Sequence, residues 1–370
     1  MKPRFLFIQT YYPDFLDGLY ASNPSLGSLE FEAQLRRVFA TGFSIGDAYS
    51  HYLRELGCEA TEVIANADVM QRQWAQEHAL ALSGNVHDQR RRIVAAQISH
   101  YRPDVVYVFE WCPLGDRFLT EIRQGVRLLV GQVSSSLPTD RTFAAYDLVV
   151  SSWPPIVDHF RDEGRSAECV RLGFDERVLE QLGEPPEDVD VSFVGGFAPV
   201  HKDRIEWLEH ILLEFDVAVY GYGLESLPEE SPIRRVHRGP VWGLDMYRAL
   251  KRSKVTLNLH AQIDVRGKVS NAHAGNLRLF EATGVGTCLL TEEKANLHDM
   301  FEPGREVLTF TSNQDCVEQL RNILGDDTRR RALAEAGQQR TLREHTYAVR
   351  MAEVLDIIER QAPARRGRRL

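Results

Sequence analysis

Asn276-Leu277-Arg278-Leu279-Phe280-Glu281-Ala282-Thr283-Gly284-Val285-Gly286 follows a polar, glycine-containing loop over 265–275 and precedes an apolar run over 287–291. The order reads as loop, helix, turn, strand. Asn276 is placed as the helix cap, with Leu277, Phe280 and Ala282 on the packed side. A helix that begins beside a flexible loop offers free N–H groups and the positive end of its dipole, a setting that suits a diphosphate. Glu281 lies about one turn further on, where a carboxylate can accept two hydrogen bonds from the vicinal hydroxyls of a ribose. Spacing alone leaves a second role open, a surface ion pair with Arg278 at i, i+3 worth ~0.3 kcal/mol.

Outward from this segment the chain alternates strands and helices. Upstream come strands over 189–194, 216–220 and 255–260 with helices over 203–214 and 243–251. Downstream come a strand over 306–310 and helices from Gln314, Thr328 and Tyr347. The first half repeats the rhythm. Its strands fall at 4–9, 59–65, 104–109, 126–133 and 147–151, and its helices at 90–100, 116–123 and 155–163. Another helix is announced by a capping box at Ser44-Ile45-Gly46-Asp47, after a long loop. Strands alternating with helices predict α/β architecture with doubly wound parallel sheets. At 370 residues the chain exceeds one ordinary core.

The pattern lapses between 172 and 190, where Gly183-Glu184-Pro185-Pro186-Glu187-Asp188 resists regular structure. This predicts an N-terminal domain over 1–173, a linker over 174–188 and a second domain over 189–345. A terminal helix is expected over 346–361, one that crosses back to the first domain in similar proteins, and a basic disordered tail over 362–370. Two such domains are expected to face a cleft at the carboxyl ends of their strands, where open α/β folds place ligands.

A net charge of −9 argues against generic binding to nucleic acid. No apolar run reaches the 18 residues of a membrane span, and Phe5-Leu6-Phe7-Ile8 is too short for a signal-peptide core, so the cytosol is expected. The five cysteines, Cys58, Cys112, Cys169, Cys288 and Cys316, lack C-x-x-C spacing and read as reduced thiols. The terminal Arg365-Arg366-Gly367-Arg368-Arg369-Leu370 is a candidate for weak contact with an anionic membrane surface.

A second candidate anion site is the strand ending in Val194-Gly195-Gly196-Phe197, followed by His201-Lys202-Asp203-Arg204 at a helix start. Such a turn lets backbone amides approach an anion with cations beside them. Paired glycines that merely punctuate a turn, with solvated Lys202 and Arg204, would look the same.

Five segments in order carry a family resemblance: Val255-Thr256-Leu257-Asn258-Leu259-His260, the 276–286 helix, Leu289-Leu290-Thr291, Met300-Phe301-Glu302-Pro303-Gly304-Arg305-Glu306-Val307, and His345-Thr346-Tyr347 with Arg350. They resemble the C-terminal half of the CgeB-like glycosyltransferases, group-1-type enzymes of the GT-B fold. The resemblance spans roughly 190–360; the first half shares only the rhythm. It implies that the second domain holds a nucleotide-sugar donor and the first an acceptor. Gly195, Gly196 and Lys202 or Arg204 would then line a donor phosphate loop and Glu281 would meet the nucleoside ribose. His260, His273, Gly275, Asn276 and Arg278 would complete the donor site. In many retaining relatives a glutamate stands eight residues before the ribose glutamate. Here that position is His273, which leaves the stereochemical outcome open.

Transfer is expected to need no metal or cofactor: amides, a helix dipole and cations stabilise a leaving diphosphate by preorganised electrostatics. No Asp-x-Asp triplet is placed to hold a divalent ion there, and Asp326-Asp327 reads as a helix cap. An inverting enzyme would also need a base from the first domain, and Asp14, His51 and Glu110 are the candidates, with Asp17 and Asp47 nearby. Tyr11, Tyr12, Phe15 and Tyr20 could stack on a sugar acceptor or simply fill a core. The expected function is glycosyl transfer from a nucleoside-diphosphate sugar to an unidentified acceptor. The alternatives are an epimerase or hydrolase of the same fold, or a non-catalytic binder of glycan or nucleotide.

Overall fold

The computed structural model describes residues 2–109, 114–197 and 202–361. The chain divides into two compact units: Met1–Arg171 with Asp264–Lys268 and everything from Ala348 onward, and Leu172–Ile263 with Val269–Tyr347.

The first unit runs β1 (Arg4–Gln9), α1 (Pro13–Ser22), α2 (Phe31–Phe39), α3 (Ala48–Glu55), β2 (Glu59–Ile64), α4 (Asp68–Glu77), α5 (Val86–Tyr101), β3 (Val105–Phe109), α6 (Gly115–Arg123), β4 (Leu128–Gln132), β5 (Leu148–Ser151), α7 (Pro154–Asp162) and β6 (Ala167–Cys169). Its six strands pair in parallel in the order β2-β1-β3-β4-β5-β6. Runs such as Leu128–Gln132 are buried along their whole length because helices cover both faces of a parallel sheet.

Two expectations fail in this unit. The long loop after β1 contains α1 and α2. Pro13 supplies a helical φ at the start of α1, and Phe31, Leu35 and Val38 recur at i, i+4, i+7 so that α2 buries one face. The capping box at Ser44 does not form: Ser44 takes φ 58. The helix opens four residues later at Ala48, and Asp47 makes no capping hydrogen bond.

The second unit runs α8 (Val178–Leu182), β7 (Val189–Val194), α9 (Lys202–Ile211), β8 (Val217–Tyr220), α10 (Ile233–Val236), α11 (Gly243–Lys251), β9 (Ser253–Asn258), the two-stranded β10 (Ile263–Val265) and β11 (Lys268–Ser270), α12 (Arg278–Gly284), β12 (Cys288–Glu292), β13 (Leu308–Phe310), α13 (Asn313–Leu324) and α14 (Asp327–Glu344). Within the two-stranded β10 and β11, Asp264–Lys268 counts with the first unit. The five remaining strands of the second unit pair in parallel in the order β13-β12-β9-β7-β8. One apolar cluster gathers Phe193, Trp207 and Phe310; a second gathers Phe174, Tyr247 and Phe280.

The expected linker over 174–188 is not a linker. Phe174 is fully buried, its N–H donates to the His345 carbonyl at 2.8 Å, and its carbonyl accepts from Tyr347 N–H at 3.0 Å. A Cβ on Gly284 would lie 2.5 Å from the Phe174 ring, so that ring lies directly on α12. Val178 and Leu182 of α8 join the same apolar cluster, and Glu187 forms a bidentate pair with the buried Arg330 at 2.9 and 3.0 Å. Glycines and prolines shape this stretch without freeing it from the core. The last helix, α15 (Tyr347–Gln361), buries Met351, Val354 and Ile358, and from Ala348 it is part of the first unit. Residues 362–370 lie outside the described residues. Among the described residues no helix is long and apolar enough to cross a membrane.

Candidate functional site

In the second unit the chain passes from β7 to β8 on one side, then returns across β7 to β9 on the other. The carboxyl ends of β7 and β9 therefore meet at a topological switch point, where open α/β sheets bind ligands. Gly195 and Gly196 follow β7. Neither has positive φ; both are glycine because of close packing. A Cβ on Gly196 would lie 2.8 Å from the Tyr222 ring, and one on Gly195 2.9 Å from the Phe193 ring. The Gly195 N–H donates to the Tyr220 carbonyl at 2.9 Å, so this amide continues the sheet and is not free to bind an anion as the sequence pattern suggests.

Arg204, on α9, donates from Nη1 to the Gly196 carbonyl at 3.1 Å and holds its guanidinium 5.9 Å from the Phe193 ring centre. Burial lowers its pKa to about 10, with repulsion from Arg278 adding to the effect. Among the described residues no carboxylate pairs with it. Lys202 opens α9, but its side chain lies outside the described residues, as do residues 198–201.

The helix expected from Asn276 begins at Arg278, with Leu277 in the N-cap position and no side-chain cap. Asn276 is not the cap because its amide is engaged elsewhere: Nδ2 donates to Asn258 Oδ1 at 2.8 Å and to the Leu259 carbonyl at 3.3 Å. Glu281 does pair with Arg278 at i, i+3, with a 2.8 Å contact, yet the two side chains are only 8% and 14% exposed. The surface-pair value therefore does not apply. Burial raises the Glu281 pKa and the Arg278 guanidinium opposes that rise. Arg278 also lies 3.1 Å from Met246 Sδ through Nη1, while its buried Nε has no hydrogen-bond acceptor among the described residues.

His260, two residues past β9, is 7% exposed. Its Nε2 lies 3.2 Å from Thr291 Oγ1 and its buried Nδ1 has no partner among the described residues. Burial, followed by repulsion from Lys294 and Arg204, lowers its pKa to about 3, so the ring is neutral. Lys294, after β12, is itself buried and paired with Glu292 at 2.7 Å. Arg204, Arg278, Lys294 and His260 thus gather from four segments at the carboxyl ends of β7, β9 and β12. Beside Lys294 an open depression of about 440 Å³ is lined in part by Asn271, Ala272, Glu293 and His298.

The remaining candidates lie elsewhere or contribute less definite geometry. His273 and Gly275 are half-buried in the loop before α12, where Ala274 is held by both the N–H and the carbonyl through Asn296 at 2.7 and 2.9 Å. Asp14 is exposed in the first turn of α1, where the helix dipole favours a carboxylate. His51 Nε2 faces Glu55 Oε1 at 3.4 Å on its own helix. Glu110 lies outside the described residues. One Asp-x-Asp triplet does occur, Asp188-Val189-Asp190. It stands at the opposite, amino end of β7 and its carboxylates pair with Arg252 and Lys254. Asp326 caps α14 by accepting from Arg329 N–H, as expected.

Residues 204–356 match the family model described as glycosyl transferase-like. The match is confined to the second half of the chain. No curated protein matches the chain. Among solved structures, sucrose-phosphate synthase from Thermosynechococcus elongatus superposes with a TM-score of 0.58 at 11% identity, covering 97% of this chain and 99% of that one. The Anabaena protein HepE, in complex with UDP and glucose, gives 0.59 at 10% identity over 97% and 100%. A putative UDP-N-acetylglucosamine 2-epimerase from Listeria monocytogenes gives 0.51 at 13% identity over 97% and 96%. These likenesses establish the GT-B fold. At such identities fold alone does not assign a reaction.

Proposed function

We propose that the chain transfers a sugar from a nucleoside-diphosphate donor, bound by the second unit, to an acceptor bound by the first. The observation that carries this reading is the convergence of Arg204, Arg278 and Lys294 around a neutral His260 at the carboxyl ends of the sheet. Arg204 and Arg278 repel one another, and Arg204 and Lys294 both disfavour a charged His260. Like charges held together at a structural cost are relieved by an anionic ligand. As the glycosidic bond to the donor breaks, negative charge grows on the leaving diphosphate. Fixed cations and N–H donors stabilise that charge most when water is excluded, with each good donor worth a factor of about 10² to 10³. Arg278 then has two partners, the diphosphate and Glu281. The second oxygen of Glu281 is the acceptor for the ribose diol.

On this reading the chemistry needs neither metal nor cofactor, because the charge stabilisation comes from the chain itself. A cytosolic location is consistent with the use of nucleotide sugars and with Cys58, Cys169, Cys288 and Cys316 being free thiols. UDP-hexoses are the first donors to try, since HepE holds UDP and glucose.

Thermal unfolding with a panel of UDP-, GDP-, dTDP- and CMP-activated sugars tests the reading. At least one is expected to raise the midpoint, since a ligand that binds only the folded chain stabilises it. Donor consumption without acceptor should stay slow, with neither epimer nor free sugar accumulating. Silence across the panel would overturn the assignment, and rapid epimer formation would replace transferase with epimerase.

A further inference from the structure

His260 Nε2 stands at the end of a hydrogen-bond chain whose direction can be followed from Asn276 through Asn258 to Thr291. A backbone carbonyl can only accept, so the 3.3 Å contact to the Leu259 oxygen makes that atom of Asn276 the amide nitrogen. The same nitrogen donates to Asn258 at 2.8 Å, which fixes the Asn258 partner atom as Oδ1. Asn258 Nδ2 donates back to Asn276 Oδ1 at 3.4 Å and, with its other proton, to Thr291 Oγ1 at 2.9 Å. The Thr291 hydroxyl has one proton. With the Asn258 amide arriving as donor, that proton goes to His260 Nε2 at 3.2 Å. Asn258 Nδ2 is also 3.5 Å from Nε2, and a proton there would set donor against donor. This arrangement favours Nε2 as the acceptor, with the proton of the neutral ring on Nδ1.

The fold makes this chain possible. Asn258 and Thr291 are register partners at the carboxyl ends of neighbouring parallel strands, so their side chains share a face. Both are buried, with exposures of 3% and 0%. Nδ1 has no acceptor among the described residues, and the cations Arg204 and Lys294 both act on the ring. A buried donor without an acceptor is costly, and among the described residues none takes the bond.

We infer that His260 is locked as the Nδ1–H tautomer and donates to a phosphoryl oxygen of the bound diphosphate, with Thr291, Asn258 and Asn276 as positioning residues that set this tautomer. The inference rests on the donor-binding reading above for its ligand, but not for its tautomer. His260 is a neutral donor among cations. Unlike a lysine, it adds no charge to a site that already holds Arg204, Arg278 and Lys294, and so leaves the empty site less repulsive.

The test uses the full chain with 15N-labelled histidine, the His260 signals being those absent in His260→Asn. Without nucleotide, His260 is expected to show a protonated Nδ1 and an unprotonated Nε2 at neutral pH. Thr291→Val should mix the tautomers, and Thr291→Ser, which keeps the hydroxyl, should restore one. UDP and inorganic diphosphate should then shift the Nδ1 proton. His260→Ala should weaken UDP binding by about 10- to 100-fold, the range for a hydrogen bond to a charged group. His260→Asn, whose amide nitrogen reaches close to the Nδ1 position, should recover most of that loss.

An Nε2–H tautomer in the free chain would overturn the positioning chain. Equal UDP affinity of wild type and His260→Ala would overturn the role of Nδ1 while the donor-binding reading stood. Failure of UDP, other nucleotides and diphosphate to bind wild type would remove both that reading and the ligand assigned here, whatever the tautomer.

Discussion

The two units share a parallel, doubly wound sheet with a switch point beside its first strand, and they furnish that point differently. In the second unit it gathers Arg204, Arg278 and Lys294 around His260. In the first unit, Gln9 at the end of β1 donates to the Gly46 carbonyl at 2.9 Å and to the carboxyl of Glu62. Glu62 in turn accepts from Ser50 N–H at 3.0 Å. Glu62 is fully buried and burial raises its pKa to about 8, so near neutral pH this switch point carries mainly a protonated acid. Beyond it Phe15 and Phe43 stack at 3.9 Å with Tyr11 edge-on, and Tyr12 is half exposed at 51%. Topology supplies the location in both units, and side-chain charge decides what each can take. On the proposed function, the second takes an anion and the aromatic-rich first suits the C–H faces of a sugar acceptor.

The largest test of this contrast is Arg278→Ala. Turnover should fall by about 10² to 10³, and the buried Glu281 left without its cation should cost about 3–5 kcal/mol in denaturant unfolding. Adding Glu281→Gln should recover much of the stability and none of the turnover. A single variant with full turnover would take the anion site away from α12.

A smaller effect separates the units by sterics. A Cβ on Gly221 would lie 1.9 Å from the Gly195 carbonyl oxygen, and one on Gly131, in β4, 2.9 Å from the Tyr146 ring. Each alanine substitution should destabilise by about 1–3 kcal/mol, with Gly221→Ala the worse because backbone cannot move aside as a ring can. Nucleotide affinity should drop in Gly221→Ala and persist in the folded fraction of Gly131→Ala. Equal losses in both would mean that the anion site is not confined to the second unit.

The gentlest prediction concerns pH. Because the folded pKa of Glu62 lies above that of the unfolded chain, the folded state binds the extra proton between the usual carboxylate range and about 8. This contribution to stability is complete at acid pH and is lost as pH rises through that window, by at most about 1.4 kcal/mol per pH unit. Glu62→Gln should flatten the profile of urea midpoints in this range. An unchanged slope would show that Glu62 ionises normally and that the first unit does carry a charge there.

Much of the fold is legible in the sequence because buried parallel strands are short apolar runs between helical repeats. The bounds 4–9 and 189–194 coincide with β1 and β7. The segments that escape are those whose order comes from packing. α1 and α2 lie among polar and glycine-rich residues, and 174–188 looks like a linker although Phe174 is buried against Gly284. In the site, Arg278 and Glu281 are legible as a pair from their i, i+3 spacing, but their burial is not. Asn258 and Thr291 escape because they meet through strand register, 33 residues apart in sequence. Lys294 escapes because Glu292-Glu293-Lys294 reads as a solvated charge run. Asn276 is misassigned as a cap for a related reason: a capping residue type is recognised locally, while its actual partner, Asn258, arrives from another strand.

The most direct test of the central claim is a crystal of the full chain soaked with the nucleotide sugar that stabilises it most. The account predicts diphosphate oxygens within hydrogen-bond reach of Arg204, Arg278 and Lys294, with a ribose diol at Glu281. A nucleotide bound away from the carboxyl ends of β7, β9 and β12, with those three cations contacting only protein, would contradict it.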